Sequence, residues 1–350
     1  MTRIITTIGP SSQDIGTLLY FAEHEVEYAR LNYSHNVPEW HIEIGKKARQ
    51  AGLKLLADLS GPKIRLGDIE HDLDIEDGQI VIFEKQLADK SYPEWEKLGN
   101  AEVPILPTNI DLSEFLQVEK DILLDDGKLH LMCKKVTGGR VQAQVIFGGK
   151  VKTHKGINLP GTDVKIPFLT ERDKAFLRST LDVLRPEVVA SSFVKTAQDV
   201  RNNKEFIKNL LAERGVADYF PKICTKVEMG EAVEPENLSQ IIDESDMIMI
   251  ARGDLALESH PLHTRVPFIQ EEIKKLCNQK NKPFIVATQV LESMASSPVP
   301  TRAEVSDLYR AVVLDKANFV MLSGESASGL FPRKCVDLME TMILEAEKLV

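Results

Sequence analysis

The sequence predicts an α/β protein: a (β/α)8 TIM barrel interrupted once, after its third strand, by a small inserted β-barrel domain. Three observations predict it. Toward both ends of the chain, short continuous apolar runs alternate with amphipathic stretches, which marks parallel strands covered on both faces by helices. Eight such strand–helix units can be counted, the number that closes a barrel. In between, the pattern changes to period-two alternation broken by turn residues, the signature of antiparallel strands.

The elements follow in order. Arg3–Ile8 reads as a strand, Asp14–His24 as a helix, Glu27–Asn32 as a strand, Pro38–Gln50 as a helix and Leu53–Asp58 as a strand. The texture changes after Pro62. Turn signals appear at Glu76-Asp77-Gly78, Asp125-Asp126-Gly127 and Gly138-Gly139. Asp126-Gly127, between Ile122–Leu124 and Leu129–Met132, predicts a hairpin. The inserted domain is set at 66–155, and the barrel at 1–65 and 156–350.

The strand–helix rhythm then resumes. Helices are predicted at Glu171–Leu184, Ala197–Glu213, Ala232–Ile242, Val266–Gln279, Arg302–Val313 and Arg333–Lys348. Strands are predicted at Val188–Phe193, Lys222–Glu228, Met247–Ala251, Pro283–Thr288 and Phe319–Ser323.

Composition narrows the function. Of 350 residues, 43% are apolar and 27% charged, ordinary for a globular protein that needs no staples. A net charge of −10 argues against nucleic acid as main partner, since phosphate backbones need a basic face. The cysteines Cys133, Cys224, Cys277 and Cys335 form no CxxC pair, and buried free thiols are expected. The N-terminus lacks a signal-peptide pattern and no apolar run reaches membrane-span length, so a cytoplasmic location is expected.

In such barrels chemistry sits at the C-terminal ends of the strands. The second strand ends in Arg30-Leu31-Asn32-Tyr33-Ser34-His35 and the third in Asp58-Leu59-Ser60-Gly61-Pro62-Lys63-Ile64-Arg65. The fifth ends in Lys226-Val227-Glu228, the sixth in Arg252-Gly253-Asp254, the seventh in Thr288-Gln289 and the eighth in Ser323-Gly324-Glu325. Lys226 and Glu228 are two apart on a strand, so both can point inward. Glu228 and Asp254, on adjacent strands, can share a hard cation such as magnesium. Arg30, Arg65 and Lys226 supply positive charge for a phosphoryl group, and free amides at Gly253-Asp254 can hold a carboxylate. Metal, cations and amide donors together suit phosphoryl transfer to or from a small carboxylic acid. Any one of these residues alone reads more simply as a surface ion pair, a cap or a turn. Their joint placement on separate strand ends argues for a site. His260 and His263 lie three apart, but no third ligand stands nearby and a zinc site is discounted.

These residues resemble a known family. Thr7-Ile8-Gly9-Pro10-Ser11-Ser12, Ala29–His35, Asp58–Arg65 and Gly156-Ile157-Asn158-Leu159-Pro160-Gly161 are similar to pyruvate kinase segments. So are Ile250–Leu255, Ala287–Met294, Pro300–Asp307 and Met321–Ser326. They occur in family order across nearly the whole chain. The resemblance implies a glycolytic kinase that transfers a phosphoryl group from phosphoenolpyruvate to ADP, giving pyruvate and ATP.

Position by position, the resemblance implies that Glu228 and Asp254 hold the divalent cation, magnesium or manganese. Lys226 resembles the lysine that stabilises the phosphoryl group in flight and the enolate. Arg30 and Arg65 resemble the arginines on the phosphoryl group and nucleotide phosphates. The Gly253 and Asp254 amides would take the substrate carboxylate, and Thr288 would face the carbon that is protonated. Asn32, Ser34, Asp58 and the Leu59 carbonyl match a monovalent-cation site, while His35 and Lys155 match positions near the nucleotide. The inserted domain would be a lid that excludes water.

Departures from the family carry expectations of their own. The chain stops at Val350, before the family's C-terminal effector domain, so activation by sugar phosphates or nucleotides through that domain is not expected, and a homodimer through the barrel helices is. Met229 stands where Asn is usual, and Ala256 and Asn36 where Gly is. Ser259–Thr264 is one residue longer than usual. Lys63, beside the monovalent-cation site, predicts that potassium is dispensable. Two rivals remain at this stage: another pyruvate-enolate barrel enzyme, such as an aldolase or phosphoenolpyruvate mutase, and a non-catalytic regulatory relative.

Overall fold

The computed structural model describes residues 2–86, 95–98, 101–259 and 263–349, with backbone alone for 95–98, 101 and 102. Two compact units divide the chain: 1–61, 168–255 and 266–350 form the first, and 62–167 with 256–265 the second. The second unit thus reaches beyond the stretch where the alternating texture is plainest. Arg65 bridges to Gly156 and Ile157 pairs with Leu124, so both flanks are stitched into its sheet.

The first unit is a closed barrel of eight parallel strands. They are β1 (Arg3–Thr7), β2 (Val26–Asn32), β3 (Lys54–Asp58), β4 (Val188–Ser191), β5 (Lys222–Val227), β6 (Met247–Ala251), β7 (Phe284–Ala287) and β8 (Phe319–Leu322). Each pairs with its sequence neighbours in the barrel, and β8 closes on β1. The helices α1 (Ile15–Glu23), α2 (Pro38–Gln50), α3 (Glu171–Leu184), α4 (Ala197–Glu213) and α5 (Pro235–Glu244) follow the first five strands. After them come α6 (Arg252–Glu258), α7 (Val266–Gln279), α8 (Arg302–Tyr309), α9 (Gly324–Ala327) and α10 (Pro332–Glu347).

Helix starts have local causes. The Asp14 carboxylate accepts the Thr17 amide at 2.9 Å ahead of α1, while Thr170–Asp173 and Thr301–Glu304 form reciprocal capping boxes for α3 and α8. Proline opens α2, α5 and α10, where its missing N–H costs nothing. Each helix lays one stripe on the barrel; α5, for example, buries Leu238, Ile241 and Ile242. At Gly9 a Cβ would stand 2.5 Å from the Ala327 carbonyl, so only glycine lets the loop after β1 approach α9.

Inside the barrel the period-two rule stacks side chains in layers. Ile5, Tyr28, Leu56, Val188, Ala190, Cys224, Met249, Ile285, Ala287 and Met321 pack together there. Burying such a layer stabilises by roughly 1.5–3 kcal/mol per large side chain. Two residues further along the strands, the same inward positions become polar: Thr7 follows Ile5, Arg30 follows Tyr28, Asp58 follows Leu56, Ser192 follows Ala190, and Lys226 follows Cys224. The site therefore sits on the last apolar layer because of strand parity.

The second unit is a seven-stranded sheet in the order 157–158, 121–124, 129–137, 140–147, 80–85, 101–108, 95–98, with a ribbon of 73–75 and 149–151. Its pairs are antiparallel except that Ile80–Lys85 runs parallel to Ala101–Thr108. The hairpin at 121–137 turns through Asp125, Asp126 and Gly127, all with positive φ. Aspartate and glycine tolerate this region best.

All four cysteines are buried and unpaired, and burial pushes Cys277 and Cys335 up to about 12. Among the described residues, no helix is long and apolar enough to cross a membrane. His260 lies outside the described residues, as does 260–262 of the lengthened Ser259–Thr264 segment.

Candidate active site

At the C-terminal rim of the barrel one buried cluster joins the ends of six strands. Arg30 on β2 donates from Nε to Asp58 Oδ2 at 2.7 Å and from Nη1 to Thr7 Oγ1 at 2.7 Å. Thr7 in turn donates to the Leu322 carbonyl of β8 at 2.8 Å. Lys226 on β5 lies 3.5 Å from Asp58 Oδ1 and 3.3 Å from Glu228 Oε2. Its Nζ donates to Ser192 Oγ at 2.7 Å. Ser192 completes the ring by donating to the Leu59 carbonyl at 2.6 Å.

Burial and charge compete in this cluster. Asp58 is 1% exposed. Burial works to raise its carboxyl, but the Lys226 and Arg30 cations outweigh that and hold it below the usual carboxylate range. Burial works to lower Lys226, but the Asp58 and Glu228 carboxylates leave its ammonium above the ordinary lysine value. Lys226 therefore stays charged at neutral pH. Glu228 is also 1% exposed. Burial pushes its carboxyl up to about 7; Lys226 opposes the rise, and the Asp254 carboxylate adds to it. The Phe193 amide donates to Glu228 Oε1 at 2.7 Å, with Phe193 held at φ 58°.

On the next strands, α6 begins at Arg252, so Gly253 and Asp254 lie in its first turn. The Gly253 amide donates to Thr288 Oγ1 at 2.8 Å, and Thr288 Oγ1 donates to the Ala287 carbonyl at 2.6 Å. Thr288 and Gln289 have φ of 66° and 51°. A β-branched residue in the left-handed region is an outlier that costs about 1–3 kcal/mol, and such outliers gather at functional sites.

The structure thus gathers Arg30, Asp58, Leu59, Lys226 and Glu228 into one cluster within the barrel unit. Asp254 is near enough for its charge to act on Glu228 and Lys226. The side chain of Asn32 accepts the Ser34 amide at 3.1 Å. His35 is exposed, and its carbonyl accepts from buried His41 Nε2 at 2.8 Å. Asn36 takes φ 60°, a conformation that asparagine tolerates nearly as glycine does. Met229 and Ala256 are buried.

Lys63, Arg65 and Lys155 belong to the second unit. There Arg65 Nη1 donates to the His154 carbonyl at 3.2 Å, Lys155 pairs with Asp125 at 2.7 Å, and the Lys63 carbonyl accepts from Asn109 at 3.1 Å.

Ser192 was absent from the strand-end residues singled out in the sequence, and Thr7 and Arg252, though quoted there, were given no role. For Ser192 and Thr7 a signal existed: each stands two residues past an inward-facing residue, Ala190 and Ile5.

A divalent cation fits the donor set. Burial and the nearby Asp254 charge raise the Glu228 carboxyl, a strain that a cation would relieve, and magnesium is typically held by one or two protein carboxylates plus water and substrate oxygens. Among the described residues, no group of three or more His, Cys, Asp or Glu forms a metal cluster.

Comparison with known proteins shows the family. The family model for the barrel domain of pyruvate kinase matches residues 1–336. A pyruvate kinase of Clostridium perfringens is 37% identical over 354 residues, covering 99% of this chain and 70% of that protein. One from Geobacillus stearothermophilus is 35% identical over 360 residues, covering 99% and 57%. The crystal structure of a pyruvate kinase from Cryptosporidium parvum superposes with a TM-score of 0.87 at 31% identity, covering 100% of this chain and 70% of that one.

Proposed function

Because the chain belongs to the pyruvate kinase family, and so is a phosphotransferase, we propose that it transfers the phosphoryl group of phosphoenolpyruvate to ADP with a divalent cation. The observation that carries this reading is Lys226, a buried ammonium fixed between Asp58 and Glu228 on the barrel rim.

In the reaction an oxygen of the ADP β-phosphate attacks phosphorus, and the bond from phosphorus to the enol oxygen breaks. That bond pair becomes enolate charge, and a proton then adds to the enolate carbon to give pyruvate. Lys226 and Arg30 meet the negative charge of the phosphoryl group in flight, and Lys226 meets the enolate. Both are oriented before substrate arrives by Asp58, Ser192 and Thr7, so little reorganisation is needed at the moment of reaction. Glu228 and Asp254 would hold magnesium or manganese, which when bound polarises phosphoryl oxygens. The substrate carboxylate takes the Gly253 and Asp254 amides. Gly253 then releases Thr288 Oγ1, whose hydroxyl faces the carbon to be protonated. Arg65, Lys155 and His35 serve the nucleotide. A coupled assay for pyruvate tests the reading: turnover should need phosphoenolpyruvate, ADP and magnesium together. Consumption of phosphoenolpyruvate without nucleotide, or no turnover at all, would sink it.

Potassium is proposed to be dispensable. Of the oxygens matching a monovalent-cation site, Asn32 Oδ1 accepts from Ser34, the Leu59 carbonyl accepts from Ser192, and the Asp58 charge is met by Arg30 and Lys226. Lys63 is assigned the charge that potassium would bring. At constant ionic strength, replacing potassium by tetramethylammonium should leave turnover within about twofold, well short of the loss expected if a needed charge were removed. A strict requirement would contradict the role given to Lys63.

We also propose a cytoplasmic homodimer through the barrel helices. Phe268 on α7 and Tyr309 at the end of α8 are 77% and 41% exposed, and exposed aromatic residues favour interfaces. Light scattering at the mass of one chain, at assay concentration, would refute it.

A further inference from the structure

We infer that Arg252 is a positioning residue: anchored on Asp307, its guanidinium holds Thr288 and Gln289 in the left-handed backbone conformation that sets the Thr288 hydroxyl against the Gly253 amide. This inference rests on the phosphotransferase reading of the barrel mouth, because only there does Thr288 act on substrate.

Arg252 is 8% exposed. Its Nε donates to the Ala287 carbonyl at 3.2 Å, and its Nη2 to the Thr288 and Gln289 carbonyls at 2.8 and 3.4 Å. Its Nη1 donates to Asp307 Oδ2 at 2.6 Å. One planar cation thus grips three successive carbonyls of the loop after β7 and is itself fixed from α8.

Those carbonyls belong to the stretch where the backbone is least comfortable. Thr288 and Gln289 both have positive φ, a region that a β-branched residue avoids. Such a conformation persists only when its surroundings over-determine it. Adjacent residues do so here from two sides: Arg252 takes the main-chain oxygens, and the Gly253 amide takes the Thr288 hydroxyl. If Arg252 only tied α8 to β6, a bond to Asp307 alone would suffice. The extra bonds converge on the two strained residues. Lysine cannot replace this fork, since an ammonium is a point charge without the planar set of donors.

The test uses Arg252→Lys, Arg252→Met and Asp307→Asn in the full chain, each first checked for folded fraction and thermal midpoint. Steady-state kinetics are measured per folded molecule, together with exchange of pyruvate methyl protons into deuterium oxide, which reads the proton step apart from phosphoryl transfer. Arg252→Lys should lower kcat by ~10-fold to ~100-fold with KM little changed, the scale of a catalytic group displaced by about 1 Å. Proton exchange should fall at least as far. Asp307→Asn should give a smaller loss of the same kind.

A kcat within about twofold of wild type for Arg252→Lys, or a loss matched by lost folded fraction with exchange intact, would overturn the inference. The crystal structure of Arg252→Met gives a readout free of activity: Thr288 should leave the left-handed region, and retention of its conformation would also overturn the inference. Should wild type make no pyruvate, the phosphotransferase reading fails, and the Thr288 conformation in this variant decides the positioning role by itself.

Discussion

Replacing Lys226 by methionine is expected to reduce turnover by at least ~10²-fold, the scale of losing a preorganised charge from a site of this kind. The side chain is 13% exposed and touches Ser192, Asp58 and Glu228. Methionine keeps the length and loses the ammonium. Two buried carboxylates then lose a shared cation, and breaking such an arrangement typically costs about 3–5 kcal/mol. Arg30 still pairs with Asp58, so the cost falls mainly on Glu228, which should escape it by staying protonated to higher pH. Stability and chemistry must therefore be separated. The variant is assayed at a temperature where circular dichroism shows it folded, with activity expressed per folded molecule. An effect on kcat far above that on the KM for phosphoenolpyruvate marks charge stabilisation in the transition state. A folded Lys226→Met enzyme with wild-type turnover would remove the basis of the proposed function.

The fold was legible because parallel strands under helices leave a strong periodic trace. β6 and the helices α2, α3, α4 and α7 have the predicted limits, and the remaining barrel strands differ only at their ends. What local pattern did not reveal came from tertiary contact. The helix expected over Arg302–Val313 changes at Arg310 into a wider π-helical turn. The wider turn delivers buried Asp315 to Gln270 and Lys274 of α7, partners that nothing near Arg310 in the sequence announces. α6 was missed because Arg-Gly-Asp is a poor helical opening; its first residue is held by carbonyls of the loop after β7 rather than by its own propensity.

The same division holds in the cluster. Lys226 and Glu228 could be placed from strand parity alone, as could Arg30 and Asp58, whose register partners are Leu56 and Asn32 respectively. Strand four was passed over because its end, Ser192-Phe193, carries no charge, yet Ser192 links Lys226 to the Leu59 carbonyl. The left-handed conformations of Thr288 and Phe193 left no trace in residue type. Threonine and phenylalanine both avoid that region in general, so only the folded surroundings explain them.

Magnesium binding should be linked to a proton on Glu228, and the linkage gives the second large effect. Burial raises this carboxyl from 4.5 to about 7, so in the metal-free protein it is largely protonated at pH 6. The folded value lies above the unfolded one. Its contribution to stability is thus fully present below about pH 4.5 and is lost as pH rises toward 7, by on the order of 3 kcal/mol at most. Asp58 has the opposite sign, since its folded value is depressed from 3.8, and its contribution is lost only in more acid solution. A divalent cation must displace the Glu228 proton, so magnesium affinity should fall by up to ~10-fold for each pH unit below 7 and level off above it. Calorimetry in two buffers of different ionisation heat at pH 6 should count close to one proton released per cation from Glu228. Glu228→Gln has no proton to release. It should bind magnesium weakly with little pH dependence, and lose turnover by ~10²-fold or more for want of a charged ligand. Chelation of the wild type should abolish turnover reversibly. Proton release unchanged in Glu228→Gln would mean that another group holds the metal, and the assignment of Glu228 and Asp254 would fall with it.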